Sequence, residues 1–252
     1  MMILYSNPFK AKEIQFSPVQ GVLVRTLAYM TAVVLSLLFF VQGVEGQKTG
    51  ESVPLPAPKV SGSMALEAVL NSRQYVRDFL DTSIGMREVS QLLWACAGMR
   101  IDGVSRASRT SPSAGGIYPL SLYVVAGKVQ TLGEGVYRYL PESHALELLK
   151  SGDYRRRLAA AALGQVFIAD APASIVITAN YRQTERVYGE RGKIRYVPMD
   201  AGHAAENLSL QAVSLGLGTV AVGAFVDERV KSVLDLDEEE PLYILPVGWP
   251  RR

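Results

Sequence analysis

Apolar positions along this chain fall into runs of three kinds. The first is continuous: Leu27 to Val41 reads LAYMTAVVLSLLFFV without a charge. Apolarity on every side, rather than in one stripe, argues for a segment surrounded by lipid, with a buried core helix as the bland alternative. Lys10, Lys12 and Arg25 precede the run, and Glu45, Lys48 and Glu51 follow it. Counted from Thr26 to Val44 it reaches the short end of a membrane span. A basic stretch followed by an apolar one also fits a signal peptide, with Val44 and Gly46 as the small residues before a cut at Gln47. An uncut anchor and a cleaved signal both stay open. In either case the positive flank places the N-terminus inside and the folded domain outside. The expectation is a membrane-anchored or exported protein on the periplasmic side of the cell envelope. Pro54, Pro56 and Pro58 then mark an extended, semi-rigid linker. The expected plan is a tail at 1–24, a signal or anchor segment at 25–45, a linker at 46–62 and one domain at 63–252.

The second kind of run has helical spacing. Ser63 can cap a helix through Met64, Leu66, Val69 and Leu70. Met86, Val89, Leu92, Leu93 and Cys96 form the stripe of a helix over 86–97, with Gly98 as its stop. Asp153 caps a helix ending near Gly164, and Asp227 caps another reaching Leu234. Met199 to Leu215 carries small and apolar residues at Ala201, Ala204, Ala205, Leu208, Ala212 and Leu215.

The third kind is short and strand-like: 120–125, 136–140, 145–149, 174–179, 219–222 and 242–247. Helices and strands do not alternate strictly, which predicts an α+β domain rather than a doubly wound nucleotide fold. No GxGxxG follows a first strand and no GxxxxGK[ST] occurs, so dinucleotide and ATP sites lack their usual signatures.

Composition narrows the chemistry. Charged residues make up 20% of the 252, with a net charge of +2 and no basic block with interleaved aromatics, which argues against a nucleic-acid coat. One cysteine, Cys96, leaves no intrachain disulfide, and with only two histidines a zinc site of the usual ligands is improbable. Redox chemistry would then have to come from a bound organic cofactor. Cys96 reads as a buried small apolar residue.

Four segments hold candidate chemistry. Arg73-Gln74-Tyr75-Val76-Arg77 has two arginines four apart, which share one side of a helical turn and suit a phosphate; a solvated helix face fits equally. Arg109 to Pro119 contains Pro112-Ser113-Ala114-Gly115-Gly116, where small residues let the backbone approach a flat ligand; a surface turn is the alternative. Gly216 to Phe225 ends a helix, makes a strand and places Gly223 and Ala224 amides where they could donate to a ring; it also reads as plain helix-to-strand punctuation. Tyr188 to Asn207 leads into the small-residue helix, where His203 reads as structural.

The order and spacing of these segments resemble the nitroreductase-like flavoenzymes, and within them the SagB-type dehydrogenase branch. RQYVRDF, LLWACAG, SPSAGGIYPLSLYVV, GVYRY with its following HAL, YGERGKIRYVPMDAGHAAENLSLQAVSLGLGT, VGAF and LPVG carry the likeness from Arg73 to Gly248. The resemblance implies a mixed central sheet flanked by helices, an intertwined homodimer and two FMN sites at its interface. Arg73 and Arg77, with Gln74 and Tyr75 between them, match the start that grips the FMN phosphate and pyrimidine edge; the family often has serine at the Tyr75 position. Pro112, Ser113, Ala114 and Gly115 match the loop reaching the flavin from the partner subunit. Gly223 and Ala224 match the segment beside the reactive ring edge, and Arg251 and Arg252 are candidates for a C-terminal phosphate contact. The helix from Asp200 to Leu215 would lie at the interface.

The implied activity is that of an FMN-dependent oxidoreductase working by a ping-pong scheme on a small organic substrate. NAD(P)H or a membrane quinone is the donor. The branch implies dehydrogenation of the azoline-to-azole kind, and reduction of nitro compounds or quinones is equally compatible. Arginines near the pyrimidine edge would favour the anionic reduced ring. No side chain is assigned as catalytic acid or base; Tyr118, Tyr188 and His203 are candidates for proton delivery. The competing class is a non-catalytic, membrane-associated flavin-binding or redox-sensing module. No metal and no nucleic acid is expected.

Overall fold

A computed structural model of the chain describes residues 50–100 and 108–251. The apolar run at 26–44 and Arg252 lie outside the described residues. Among those described, no helix is long and apolar enough to cross a membrane.

Seven strands form one sheet: β1 (Ser52–Pro54), β2 (Leu120–Ala126), β3 (Gly135–Leu140), β4 (Ala145–Ser151), β5 (Ala173–Ala179), β6 (Gly218–Thr219) and β7 (Glu240–Gly248), in the order β1-β4-β3-β2-β5-β7-β6. Every ladder is antiparallel. Parallel pairing enters only through bridges between Tyr75 and Thr219 and between Ile84 and Val129. The helices are α1 (Leu66–Ser72), α2 (Met86–Ala97), α3 (Arg155–Ala161), α4 (Phe167–Asp170), α5 (Tyr181–Tyr188), α6 (Val197–Ser214) and α7 (Asp227–Leu234).

The strand period of two divides the core between the faces of the sheet. Leu122 and Val124 of β2, with Ile175 and Ile177 of β5, meet Leu92 and Leu93 of α2 and Ala204 and Leu208 of α6 on one face. Tyr123, Val125 and Val176 meet Leu158 of α3, Ile168 and Val230 of α7 on the other. Covered on both sides, β5 is buried at every residue, which is why ASIVITA is a continuous apolar run. Cys96 is fully buried, and that burial pushes its thiol pKa up. The alanines along α6 let its backbone approach α2 and the sheet closely.

The helix expected over 86–97 forms at those bounds, and the strands at 120, 136, 145, 174 and 242 all appear, with ends extended by one or two residues. Several expectations are corrected. The first helix starts at Leu66 after Ala65, without a side-chain cap from Ser63, and Val69 is its buried residue. Asp153 instead makes an Asx-type turn, its Oδ1 accepting the Arg155 amide at 3.0 Å, and that helix ends at Ala161 before the left-handed residues Leu163 and Gly164. Asp227 is the first residue of α7, with Val226 at the cap position. The strand expected over 219–222 is a two-residue ladder followed by one bridge from Val222 to Ile244.

The proline-rich stretch at 46–62 is extended as expected, but its described part is laid into the domain. Ser52–Pro54 pairs with β4, Leu55 is buried, Ser90 Oγ donates to Pro56 O at 2.5 Å, and Lys59 exchanges two bonds with the Gln91 side chain. Proline is tolerated there because β1 is an edge strand. The sequence reading also passed over α5 and the π-helical turn Gly192–Tyr196 that leads into α6.

Candidate functional site

Residues 73–77 do not continue the helix that precedes them. Arg73 already has extended backbone, with φ −63° and ψ 124°, and Tyr75 pairs with Thr219 while the Val76 amide donates to Thr219 O at 3.0 Å. The helical placement of the two arginines is therefore corrected. The inference that they share a side survives, because residues i, i+2 and i+4 of an extended chain also point the same way. Tyr75 shares that side: the Arg73 guanidinium lies 4.9 Å from its ring centroid and the Arg77 guanidinium 6.0 Å.

Gly218 makes this crossing possible. A Cβ there would sit 2.6 Å from Val76 Cβ, so the two backbones approach as closely as they do only because β6 has no side chain at that point. Beside the crossing lies a cleft of about 600 Å³, lined by Gln74, Tyr75, Arg77, Gly216, Thr219 and Arg251 among others. Thr219 Oγ1 is buried without a hydrogen-bond partner. Arg73 Nε is 3.8 Å from Glu206 Oε1, and Arg251 Nε donates to Asp78 Oδ1 at 3.1 Å. The Arg251 pair is exposed and the Arg73 pair partly so, and ion pairs in such settings contribute little. Both guanidiniums are therefore held in place yet open to a stronger anionic partner.

Gly223 and Ala224 lie past the far end of β6 and do not line the cleft. They connect to it through contacts: Arg77 lies 5.8 Å from the Phe167 ring, and Gln165, two residues before Phe167, donates from Nε2 to Ala224 O at 2.9 Å. Gly223 is exposed, with open space where a side chain would be.

The loop of Pro112, Ser113, Ala114 and Gly115 is elsewhere. Ser113 Oγ donates to Asp200 Oδ2 at 2.6 Å, the Ala114 amide to Asp200 Oδ1 at 3.4 Å, and Asn207 Nδ2 to Thr110 O at 3.3 Å, so α6 ties the loop at both ends. Asp200 is 4% exposed, and burial raises its pKa despite the Ser113 and Ala114 donors that oppose the shift. The cleft touches the same helix further on, at Ser209 and Val213, nine and thirteen residues beyond Asp200. That separates loop and cleft by roughly 14–20 Å along the helix axis. The Pro112–Gly115 loop itself does not line the cleft.

None of the three proton-delivery candidates lines the cleft. Tyr118 OH accepts from the Arg109 amide at 3.3 Å, Tyr188 packs edge-on against Tyr196 with its hydroxyl close to Gly115, and His203 is exposed on α6. The sequence reading missed Asp78, Glu206, Gln165 and Asp200 as supporting groups; for Asp200 the one available signal was a lone carboxylate in a stripe of small residues. Among the described residues no cluster of three His, Cys, Asp or Glu could hold a metal.

The nitroreductase family model matches residues 70–249. A Methanocaldococcus jannaschii protein assigned as a nitroreductase is 43% identical over 199 residues, which cover 79% of this chain and 98% of that protein. The crystal structure of a Ralstonia eutropha protein, also assigned as a nitroreductase, superposes with a TM-score of 0.68 at 30% identity, covering 83% of this chain and 97% of that one. A chain of the Escherichia coli microcin synthetase McbBCD complex, solved with truncated pro-MccB17 bound, superposes with a TM-score of 0.64 at 22% identity, covering 82% and 80%. The last likeness is one of fold.

Proposed function

The chain belongs to the nitroreductase family, and from that membership we propose that it is an FMN-dependent oxidoreductase acting on a small organic substrate. The observation that carries this reading is the arginine-walled cleft at the crossing of residues 73–77 with β6. Arg77 and Arg251 line a space of about 600 Å³, and Arg73 stacks on Tyr75, which also lines it. Guanidiniums suit a phosphate dianion, and a cavity of this size suits a small organic cofactor. The unpartnered Thr219 Oγ1 offers a hydroxyl to whatever fills the cleft. On this reading Gln74 and Tyr75 complete the wall that faces the cofactor.

FMN bound there would supply two-electron chemistry in ping-pong form, with NAD(P)H or a membrane quinol as donor and a small organic acceptor following it. The chain's part is to place and tune the ring. Amides at Gly223 and Ala224, which lie outside the cleft, would stabilise negative charge on a ring that extends beyond it, and Gln165 holds the Ala224 end of that segment. The distance between the Pro112–Gly115 loop and the cleft of its own subunit supports a homodimer in which each loop serves the partner's cofactor. The SagB-type reading, with azoline-to-azole dehydrogenation, rests on the motif resemblance. Export or anchoring through residues 26–44 rests on the apolar run and its charged flanks; a reporter active only in the cytoplasm, fused after Arg252, stays silent if it holds.

The test is the visible spectrum of the pure protein from Gln47 onward. Flavin bands with FMN released on denaturation are expected, followed by turnover with a donor and an acceptor. A colourless protein that takes up no added FMN removes the proposal. Bound flavin without turnover moves the chain to the storage or sensing class.

A further inference from the structure

The loop that carries Ser113 is costly to hold in shape. Gly115 and Gly116 have φ of +61° and +65°, and Tyr118, which has a side chain, has φ +55°. A non-glycine residue in the left-handed region costs about 1–3 kcal/mol and persists only where its surroundings over-determine it. Here the surroundings converge on one carboxylate. The Tyr118 amide donates to Ser113 Oγ at 2.9 Å, Ser113 Oγ donates in turn to Asp200 Oδ2 at 2.6 Å, and the Ala114 amide donates to Asp200 Oδ1. Asp200 is anchored on α6, which is packed into the core on this same side through Ala201, Ala204 and Leu208. The loop is thereby referred to the longest described helix, which is packed into the core.

We propose that Asp200 is a positioning residue for the cofactor site, fixing the Pro112–Gly115 loop through Ser113 Oγ and the Ala114 amide. The inference rests on the flavin reading of the preceding section. When ionised, the carboxylate accepts from both groups that face it, one on each oxygen. An amide at this position would turn an NH₂ group toward one of those donors and lose that bond. A carboxylate buried only to stabilise the fold would be a poor choice, since burial acts against its charge. Its retention makes sense if the geometry it imposes on the loop is what matters.

The experiment measures FMN affinity, by quenching of flavin fluorescence, together with the apo-protein melting temperature. The full chain is compared with Asp200→Asn, Ser113→Ala and the double variant. Each single variant is expected to weaken FMN about tenfold, the scale of one lost hydrogen bond to a charged group. The double variant is expected to be no weaker than the worse single one, because both act through the same bond. Asp200→Asn is expected to melt no lower than the parent, since it removes a buried charge. A role confined to stability predicts the reverse pattern, lower melting with unchanged FMN affinity, and that result overturns the proposal. Should Asp200→Asn not fold, Asp200→Ser takes its place: FMN affinity equal to the parent's overturns the proposal, and a tenfold loss upholds it. A parent that binds no FMN overturns the flavin reading itself, which separates the two failures.

Discussion

Gly218→Ala tests whether the close crossing of β6 and residues 73–77 builds the cleft. The new methyl would lie 2.6 Å from both Cβ and Cγ1 of Val76 and 2.7 Å from Cγ2. Carbon atoms at rest sit about 3.5–4.0 Å apart, so one segment must move by roughly 1 Å. The neighbour is a branched side chain rooted next to its own backbone, so it has no flexible end that could give way. The segment that moves carries the Tyr75–Thr219 bridge, with Arg73 and Arg77 on either side. Overpacking of this kind costs about 1–3 kcal/mol. For a chain of this size that lowers the melting temperature of the apo-protein by about 2–12 °C. FMN affinity should fall at least about tenfold, since a charge-assisted contact from either arginine is worth that much. Gly223→Ala is the control: nothing lies within 4 Å of its added methyl. Its stability should change by no more than about 0.5 kcal/mol, while its FMN affinity should fall if its amide lies against the ring. Thermal melts and FMN titrations on the two variants separate packing from binding. A Gly218→Ala protein that melts with the parent and binds FMN as tightly refutes the crossing as the origin of the site.

Three further outcomes are expected. Asp200 titrates above its ordinary 3.8 in the folded protein, so between 3.8 and the folded value the native state holds the extra proton, and this group's contribution to stability falls as pH rises through that window. Urea midpoints of Asp200→Asn relative to the parent should accordingly improve as pH rises from 3.8 through the raised folded-state value; parallel curves would contradict the burial argument. A chain begun at Ser63 instead of Gln47 loses β1, the burial of Leu55 and the Pro56 carbonyl that Ser90 uses, at a cost of about 2–4 kcal/mol by area and hydrogen-bond reckoning; equal melting of the two chains would return the segment to the status of a linker. Asp78→Ala removes an exposed partner of Arg251 and a negative charge beside the phosphate end. It should leave stability within about 1 kcal/mol and tighten FMN about threefold, without changing affinity for riboflavin, which lacks the phosphate; an equal effect on both ligands would place the phosphate elsewhere.

How much of this could be read from the chain depends on where each signal lives. The helix over 86–97 was legible to the residue because its apolar stripe and terminal glycine state the same limits, and Gly98 has no room for a side chain over Trp94. The central strand β5 was legible because burial on both faces leaves an uninterrupted apolar run. Arg73 to Arg77 was misread in conformation and kept in consequence, since a spacing of four places two side chains together on a helix and on a strand alike. What decides between them is the sheet edge at Thr219, over a hundred residues away in sequence, with which Tyr75 and the Val76 amide pair. The β1 edge was illegible for the opposite reason: three prolines describe an extended chain but not whether a sheet edge is waiting for it. The candidate site divides along the same line. Residue types for an anion were visible in Arg73, Arg77 and Arg251, and so was a loop able to approach a flat ring. Their supports were not, because Asp200 meets Ser113 across 87 positions and Asp78 meets Arg251 across 173. The loop and the cleft lie along one helix, about 14–20 Å apart on its axis. Local sequence can therefore supply both parts of such a site without saying how they are joined; if the proposed homodimer joins them, a monomeric variant that stays folded should lose FMN binding, and one that binds FMN as tightly as the parent would refute the shared site.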